Sequence, residues 1–400
     1  MLRLVKRVLL STLLQLKLFT YLYFIVALLL YIVALPFLLL ASLKRKYRVS
    51  IPSRFFLYHN LSSKESDIYF HACSVGEVRA LSPLLDRLKD REITISTITQ
   101  TGFRAAKSYE ADVRYLPFEI FMPFWFKKHS SVVVLEAEFW YLFFLSAKLK
   151  GAKLILLNTR ISKRSYLKYY KMRWLFKHLF ALPDKIFCQS LDDKKRLETL
   201  GASNIEVVGN IKLAQNIKAT TSYLKPDAEL IVAASTHDGE ERAILEAFLQ
   251  ICTPQMRLLI VPRHPERFES VWQMITASKV ECARFSSDRS FKKSVTLVDS
   301  MGELNSIYAI SDLVILGGAF RDDVGGHNVL EPAHFGCKII TGKHLFNQQE
   351  LVKHVKHIKI IDESLLVETL KHRCDIEPSY IDGECDLSTI IEQIRVDNEK

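Results

Sequence analysis

The chain has 400 residues, a formal net charge of +11 and an apolar share of 49%, which points to two or three domains with sizeable cores. Its Lys and Arg are spread along the chain and match no nucleic-acid module, so the basic balance suits anionic lipid or phosphorylated ligands instead. Seven cysteines without a C-x-x-C pair exclude a disulfide framework and point to a reducing compartment.

From Leu18 to Leu43 no charged residue occurs, which matches the length of one membrane-crossing helix. Arg3, Lys6, Arg7 and Lys17 precede it, and Lys44, Arg45, Lys46 and Arg48 follow. A cleaved signal peptide fits poorly because the apolar core is too long. Residues 1–49 are therefore expected to be a single-pass anchor, or an interfacial one. The basic cluster after it places the body of the chain on the cytoplasmic side.

Beyond residue 50 apolar runs alternate with helical stretches, the pattern of parallel α/β sheets. Asp67–Phe70, Ile93–Thr99, Val132–Leu135, Leu154–Leu157, Lys185–Cys188 and Ile205–Val208 read as strands. Helices are expected at Glu77–Lys89 and Tyr166–Phe180. A polar stretch around Pro226, residues 216–227, reads as a linker. A second series follows at Leu230–Ala233, Arg257–Val261, Val295–Val298, Leu313–Leu316, Ile339–Ile340 and Ile358–Ile361. The expectation is two Rossmann-like domains facing a cleft, 50–215 and 228–400. The aromatic run Phe118–Phe126 suits either a membrane contact or a core.

Several constellations stand at strand ends. His71-Ala72-Cys73-Ser74-Val75-Gly76-Glu77 places Glu77 in the first turn of a helix, where the dipole keeps a carboxylate ionised and available as a base. Ser74 with Glu77 three residues on is equally a capping box. Glu136 and Glu138 follow the third strand as first-turn acids or as a pair that could hold a hydroxyl or a cation, and Lys212 ends the first domain. In the second half, Ser235–Glu241, Val261–Phe268 with Arg263, and Met301–Leu304 each follow a strand. The stretch Gly317-Gly318-Ala319-Phe320 to Gly325-Gly326-His327-Asn328-Val329-Leu330-Glu331-Pro332 puts glycines between a strand and a helix, where backbone N–H groups are expected to meet an anion. No Rossmann glycine fingerprint and no P-loop are present. The histidines His237, His264, His327, His334 and His344 lack a compact H-x-x-x-H pair, so no metal is expected.

Taken in order, these segments, together with Gly209–Lys212 and Thr341–Asn347, resemble the 3-deoxy-D-manno-octulosonate (Kdo) transferases of lipid A synthesis. The resemblance implies the GT-B architecture and transfer of Kdo from CMP-Kdo to a lipid A precursor, by inversion, without metal or cofactor, at the cytoplasmic face of the inner membrane. It implies Glu77 as general base and Glu138 and Lys212 as transition-state stabilisers. It places CMP against Pro262, Arg263, Met301, Gly302, Glu303, Asn328, Val329, Leu330 and Glu331. Cys73, Ala319 and Val329 depart from the family's usual Ala, Ser and Pro. Two alternatives accompany this reading: a GT-B enzyme with another nucleotide sugar, and a non-catalytic tethered binding protein.

Overall fold

The computed structural model describes residues 2–395, with side chains from residue 17 onward. Seven strands form the first sheet: β1 Ser66–His71, β2 Ile93–Thr97, β3 Asp112–Tyr115, β4 His129–Leu135, β5 Lys153–Thr159, β6 Lys185–Cys188 and β7 Ile205–Val207. Their order is β3-β2-β1-β4-β5-β6-β7, and every pairing is parallel. That is the doubly wound order, whose direction reverses between β1 and β4.

Parallel strands are covered on both faces, which is why they read as continuous apolar runs. Tyr69, Val132, Val134, Leu154, Leu156 and Ile186 pack into one layer of core. Their neighbours Ile68, Phe70, Val133, Leu135, Ile155 and Leu157 pack into the opposite layer. Each such side chain contributes about 1.5–3 kcal/mol through burial.

A second seven-stranded sheet is built from β8 Glu229–Thr236, β9 Met256–Pro262, β10 Cys282–Arg284, β11 Val295–Leu297, β12 Leu313–Leu316, β13 Lys338–Gly342 and, after the short β14 Val355–Lys356, β15 Ile358–Ile361. Its order β10-β11-β9-β8-β12-β13-β15 is again parallel throughout and reverses between β8 and β12. Two parallel-sheet α/β units of the GT-B type are thus present.

Two boundaries differ from expectation. The first unit comprises Met1–Gln215 together with Glu384–Lys400, and the second is Asn216–Gly383. The chain end expected in the second domain belongs to the first because helix Leu387–Ile394 buries Leu387, Ile390 and Ile394 in the core beneath β1 and β4. The Ser131 hydroxyl donates to the carbonyl of Ile394 at 2.7 Å. Residues 216–227 are bound to the second unit: the N–H groups of Thr220 and Thr221 donate to Ser306 Oγ, and Lys225 pairs with Asp312 at 2.6 Å.

Two helices are shorter than expected. The stretch 77–89 divides into Val75–Ala80 and Ser82–Leu85, with Pro83 opening the second piece. The stretch 166–180 divides into Lys163–Lys171 and Arg173–Phe180 at Met172. Strands β3 and β10, of 4 and 3 residues, escaped notice because neither is a continuous apolar run.

A helix spans Leu2–Ser42, and its segment Lys17–Ser42 is long and apolar enough to cross a membrane. One flank rests on the first unit. Phe19 stacks on His178 with ring centroids 4.1 Å apart, and the Tyr23 hydroxyl donates to Glu119 Oε2 at 2.8 Å. The other flank, including Tyr21, Leu22, Ile25 and Leu29, is exposed. Of the aromatic run, Trp125 and Phe126 are core while Phe124 is 80% exposed.

Candidate functional site

In each unit the loops leaving the two central strands flank the point where strand order reverses, the place where open α/β sheets bind ligands. In the first unit these loops carry His71 to Glu77 after β1 and Glu136 to Glu138 after β4.

Glu77 is the third residue of the short helix capped by Ser74. The Ser74 hydroxyl lies 3.3 Å from the Glu77 N–H that it caps and donates to Glu77 Oε1 at 2.8 Å, while the Cys73 N–H donates to Oε2 at 2.9 Å. The Ser74 cap is therefore real, but the reciprocal bond of a capping box comes from the N–H of Cys73, one residue before the cap. Glu77 is half-buried, not sealed. Burial raises its pKa, Glu136 and Glu138 add to the rise, and the bonds from Cys73 and Ser74 oppose it. To the helix dipole named from the sequence the structure adds desolvation and two like charges, which act in the opposite direction.

The turn after β4 holds both other carboxylates outside any helix, since the next helix starts only at Tyr141. They are not first-turn acids. Glu136 adopts φ +57°, a left-handed conformation that a non-glycine residue enters at a cost. It accepts an ion pair from Lys212 Nζ at 2.7 Å. Lys212 sits in the turn Ile211–Ala214, whose start is fixed by Asn210 and by Asn158 Oδ1 accepting the Ile211 N–H at 3.1 Å. The lysine is thus brought to Glu136, the acid to which the family resemblance assigned no role. Glu138 accepts instead from Trp140 Nε1 at 2.8 Å.

Behind them His71 is fully buried, and burial with nearby Arg54 lowers its pKa to about 3, so the imidazole is neutral. The Cys73 thiol is pushed up by burial, by Glu138 and by Glu77, which removes it as a nucleophile. Among the described residues His71, Cys73 and Glu138 are also the one group whose ligand atoms converge, all within 4.8 Å of one another.

The second unit brings together the loops after β8, β9 and β12. Arg263 follows Pro262 at the end of β9, its side chain exposed and its N–H donating to the Thr236 carbonyl at 3.0 Å. His237 Nε2 and His327 Nε2 lie 2.8 Å apart, and the His264 ring meets His237 edge-on at 5.4 Å. Asn328 accepts the Leu330 N–H and donates to Glu331 Oε1 at 3.1 Å. The side chains of Val329 and Leu330 are buried, so only their backbone is available to a ligand. Met301 and Gly302 are exposed on the loop after β11, and Glu303 accepts from the Tyr223 hydroxyl at 2.7 Å.

The glycine-rich stretch behaves differently from expectation. Glu240, 1% exposed, accepts from the N–H groups of Gly318 at 2.9 Å, Phe320 at 3.3 Å and His237 at 2.9 Å. The Gly317 and Gly326 N–H groups donate to Ala234 and Gly318 carbonyls. These N–H groups are already engaged and do not await an anion. The glycines are required by close approach: a Cβ on Gly317 would lie 2.7 Å from Glu240 Oε2, and Gly318 combines φ +75° with a contact of 2.7 Å to His327.

Comparison with known proteins follows these two clusters. Residues 49–215 match the family model described as 3-deoxy-D-manno-octulosonic-acid transferase (kdotransferase). The 3-deoxy-D-manno-octulosonic acid transferase of Haemophilus influenzae is 33% identical over 352 residues, which cover 81% of this chain and 82% of that protein. The chain belongs to the Kdo transferase family. The transferase of Chlamydia pneumoniae is 29% identical over 366 residues, covering 85% of this chain and 84% of the relative. In fold alone, this Kdo transferase is similar to a UDP-GlcNAc 2-epimerase of Neisseria meningitidis, with TM-score 0.53, 10% identity, and coverage of 84% of this chain and 95% of that one. As a member of the family the protein is a glycosyltransferase acting in lipopolysaccharide synthesis. The matched stretch 49–215 contains Glu77, Glu136, Glu138 and Lys212.

Proposed function

We propose that this Kdo transferase takes CMP-Kdo on its second unit and a lipid A precursor on its first, with Glu77 as general base. The observation that carries the reading is the state of Glu77: held from two sides at the strand-order reversal, half-open to solvent, and raised in pKa by burial and two acids. A base whose pKa moves toward the working pH transfers protons more effectively than an ordinary carboxylate.

In the proposed reaction Glu77 takes the proton of an acceptor hydroxyl. The freed oxygen pair bonds the anomeric carbon of Kdo from the face opposite the nucleotide. The bond to the CMP phosphate breaks, its electron pair leaves on CMP, and the anomeric configuration inverts. Glu138 stabilises the positive charge that develops at the reacting sugar, and Lys212, aimed by Glu136, the negative charge that builds on the departing phosphate. Arg263 faces the phosphate with its planar fork, Met301 to Glu303 and Asn328 to Glu331 supply backbone and ribose contacts, and Pro262 shapes the wall. A phosphate leaving group of this kind is accommodated by fixed positive charge, so the mechanism uses protein groups alone.

The apolar helix Lys17–Ser42 supports attachment to the inner membrane, with both units on the cytoplasmic face and basic residues toward anionic lipid. The decisive experiment is transfer of Kdo to a lipid A precursor by wild type and Glu77→Gln, with product mass read directly. Wild-type turnover with CMP-Kdo and its collapse in the variant are expected. Turnover only with a UDP-sugar, or a variant near wild-type rate, would overturn the reading.

A further inference from the structure

Cys73 has no part in the proposed transfer, yet its sulfur sits between two groups that are good metal ligands. Its Sγ lies 3.3 Å from His71 Nε2. Glu138 offers a carboxylate oxygen, with all three ligand atoms within 4.8 Å of one another. In a tetrahedral zinc site with bonds of about 2.0–2.3 Å, ligand atoms stand about 3.3–3.8 Å apart. The histidine and cysteine already meet that spacing. Only Glu138 must draw in, and it sits on an irregular turn.

Both non-thiol ligands have the outer partners that metal sites use to aim them. The Ser96 hydroxyl donates to the Phe70 carbonyl at 3.4 Å and so accepts from His71 Nδ1 at 2.8 Å. The ring proton is thereby placed on Nδ1, and the Nε2 lone pair faces the sulfur. Trp140 Nε1 fixes Oε2 of Glu138 at 2.8 Å and leaves Oε1 for a ligand. Arg54 and Glu77 are the other charged groups acting on this cluster.

We propose that His71, Cys73 and Glu138 form a binding site for one borderline-soft divalent cation of the zinc class. Nitrogen, sulfur and oxygen donors together favour zinc over magnesium or calcium, which take oxygen ligands. On binding, the Cys73 S–H bond breaks, a sulfur–metal bond forms, and the proton passes to the buffer. A fourth position remains for water. Occupancy withdraws Glu138 from transfer; this consequence rests on the proposed role of Glu138, whereas binding itself does not.

The test uses the full chain, freed of metal by chelation and titrated with Zn²⁺ and with Co²⁺ as a spectroscopic stand-in. One ion per chain, release of one proton and a thiolate-to-cobalt charge-transfer band are expected. Cys73→Ala abolishes the band and weakens zinc binding by at least about a hundredfold, and Ser96→Ala weakens it about ten- to a hundredfold while keeping the band, as loss of an outer partner does. Glu138→Gln, on the irregular turn, lowers affinity without removing the band. Absence of the band in wild type overturns the site. A band and affinity unchanged in Cys73→Ala would place the ion on other cysteines, such as the exposed Cys252 and Cys374, and would equally overturn it.

Discussion

Glu77 and Glu240 occupy equivalent places in the two units. Each lies at the start of the helix that follows the central strand, and each accepts a backbone N–H from the loop before it. Their surroundings separate them. Glu240 is sealed at 1% exposure and ties together three N–H groups of two loops. Glu77 holds one backbone N–H and one hydroxyl and remains half-open beside two further acids. The same motif thus serves as a buttress where its hydrogen-bond capacity is filled, and takes the proposed role of proton acceptor where part of it faces outward. A carboxylate at a helix start becomes reactive through what is left unfilled around it.

The comparison can be tested from its strongest consequence downward. Glu77→Gln keeps an oxygen for the Cys73 N–H, so the melting temperature should hold while the Kdo transfer rate falls about 10²–10⁴-fold. Lys212→Met removes the charge aimed by Glu136, and steady-state assays should show kcat about 10²–10³-fold lower with little change in KM, as when a transition-state donor is lost. Glu240→Ala should reverse the pattern: urea unfolding should show the second unit destabilised by about 2–4 kcal/mol, because buried N–H groups lose their acceptor. If Glu240→Ala instead slowed transfer as much as Glu77→Gln at unchanged stability, the division into buttress and base would be wrong.

Two smaller effects sharpen it further. Glu119 is a buried carboxylate outside both reactive clusters, accepting from Leu142 N–H at 2.6 Å and from Tyr23. Burial raises its pKa from 4.5 to about 7. The folded state therefore favours the protonated form. Its stabilising contribution, on the order of 3 kcal/mol at most, is complete below the unfolded pKa and is lost as pH rises through 7. Melting curves between pH 5 and 8 should show wild type losing stability with rising pH more steeply than Glu119→Gln. Finally, Ser74→Ala should cost about 1 kcal/mol through the lost cap, visible in denaturant midpoints. It should also release one of the two restraints on Glu77, lowering the transfer rate far less than Glu77→Gln.

Much of the fold was legible because parallel strands, covered on both faces, declare themselves as apolar runs. Val132–Leu135 and Leu313–Leu316 needed no partner to be recognised. The cap of Ser74 on Glu77 was legible for the same reason: it is local. What escaped notice depends on contacts distant in sequence. No local signal links Lys212 to Glu136, 76 residues away, or Glu240 to Gly318, 78 residues away. The glycines were placed correctly between strand and helix, but the crowding around Gly317 and Gly318 was not foreseen. Close packing against Glu240, Thr236 and His327 demands them, and a sequence does not display its own crowding.

The helix Leu387–Ile394 carries a consequence for the order of assembly. It supplies Leu387, Ile390 and Ile394 to the core of the unit that begins the chain. During synthesis the core of the amino-terminal sheet lacks these three side chains until Asn216–Gly383 and the helix itself have been translated. The second unit has no such dependence, since it is one continuous stretch of chain that precedes the helix. The second unit can therefore close on itself before the first has received its last helix.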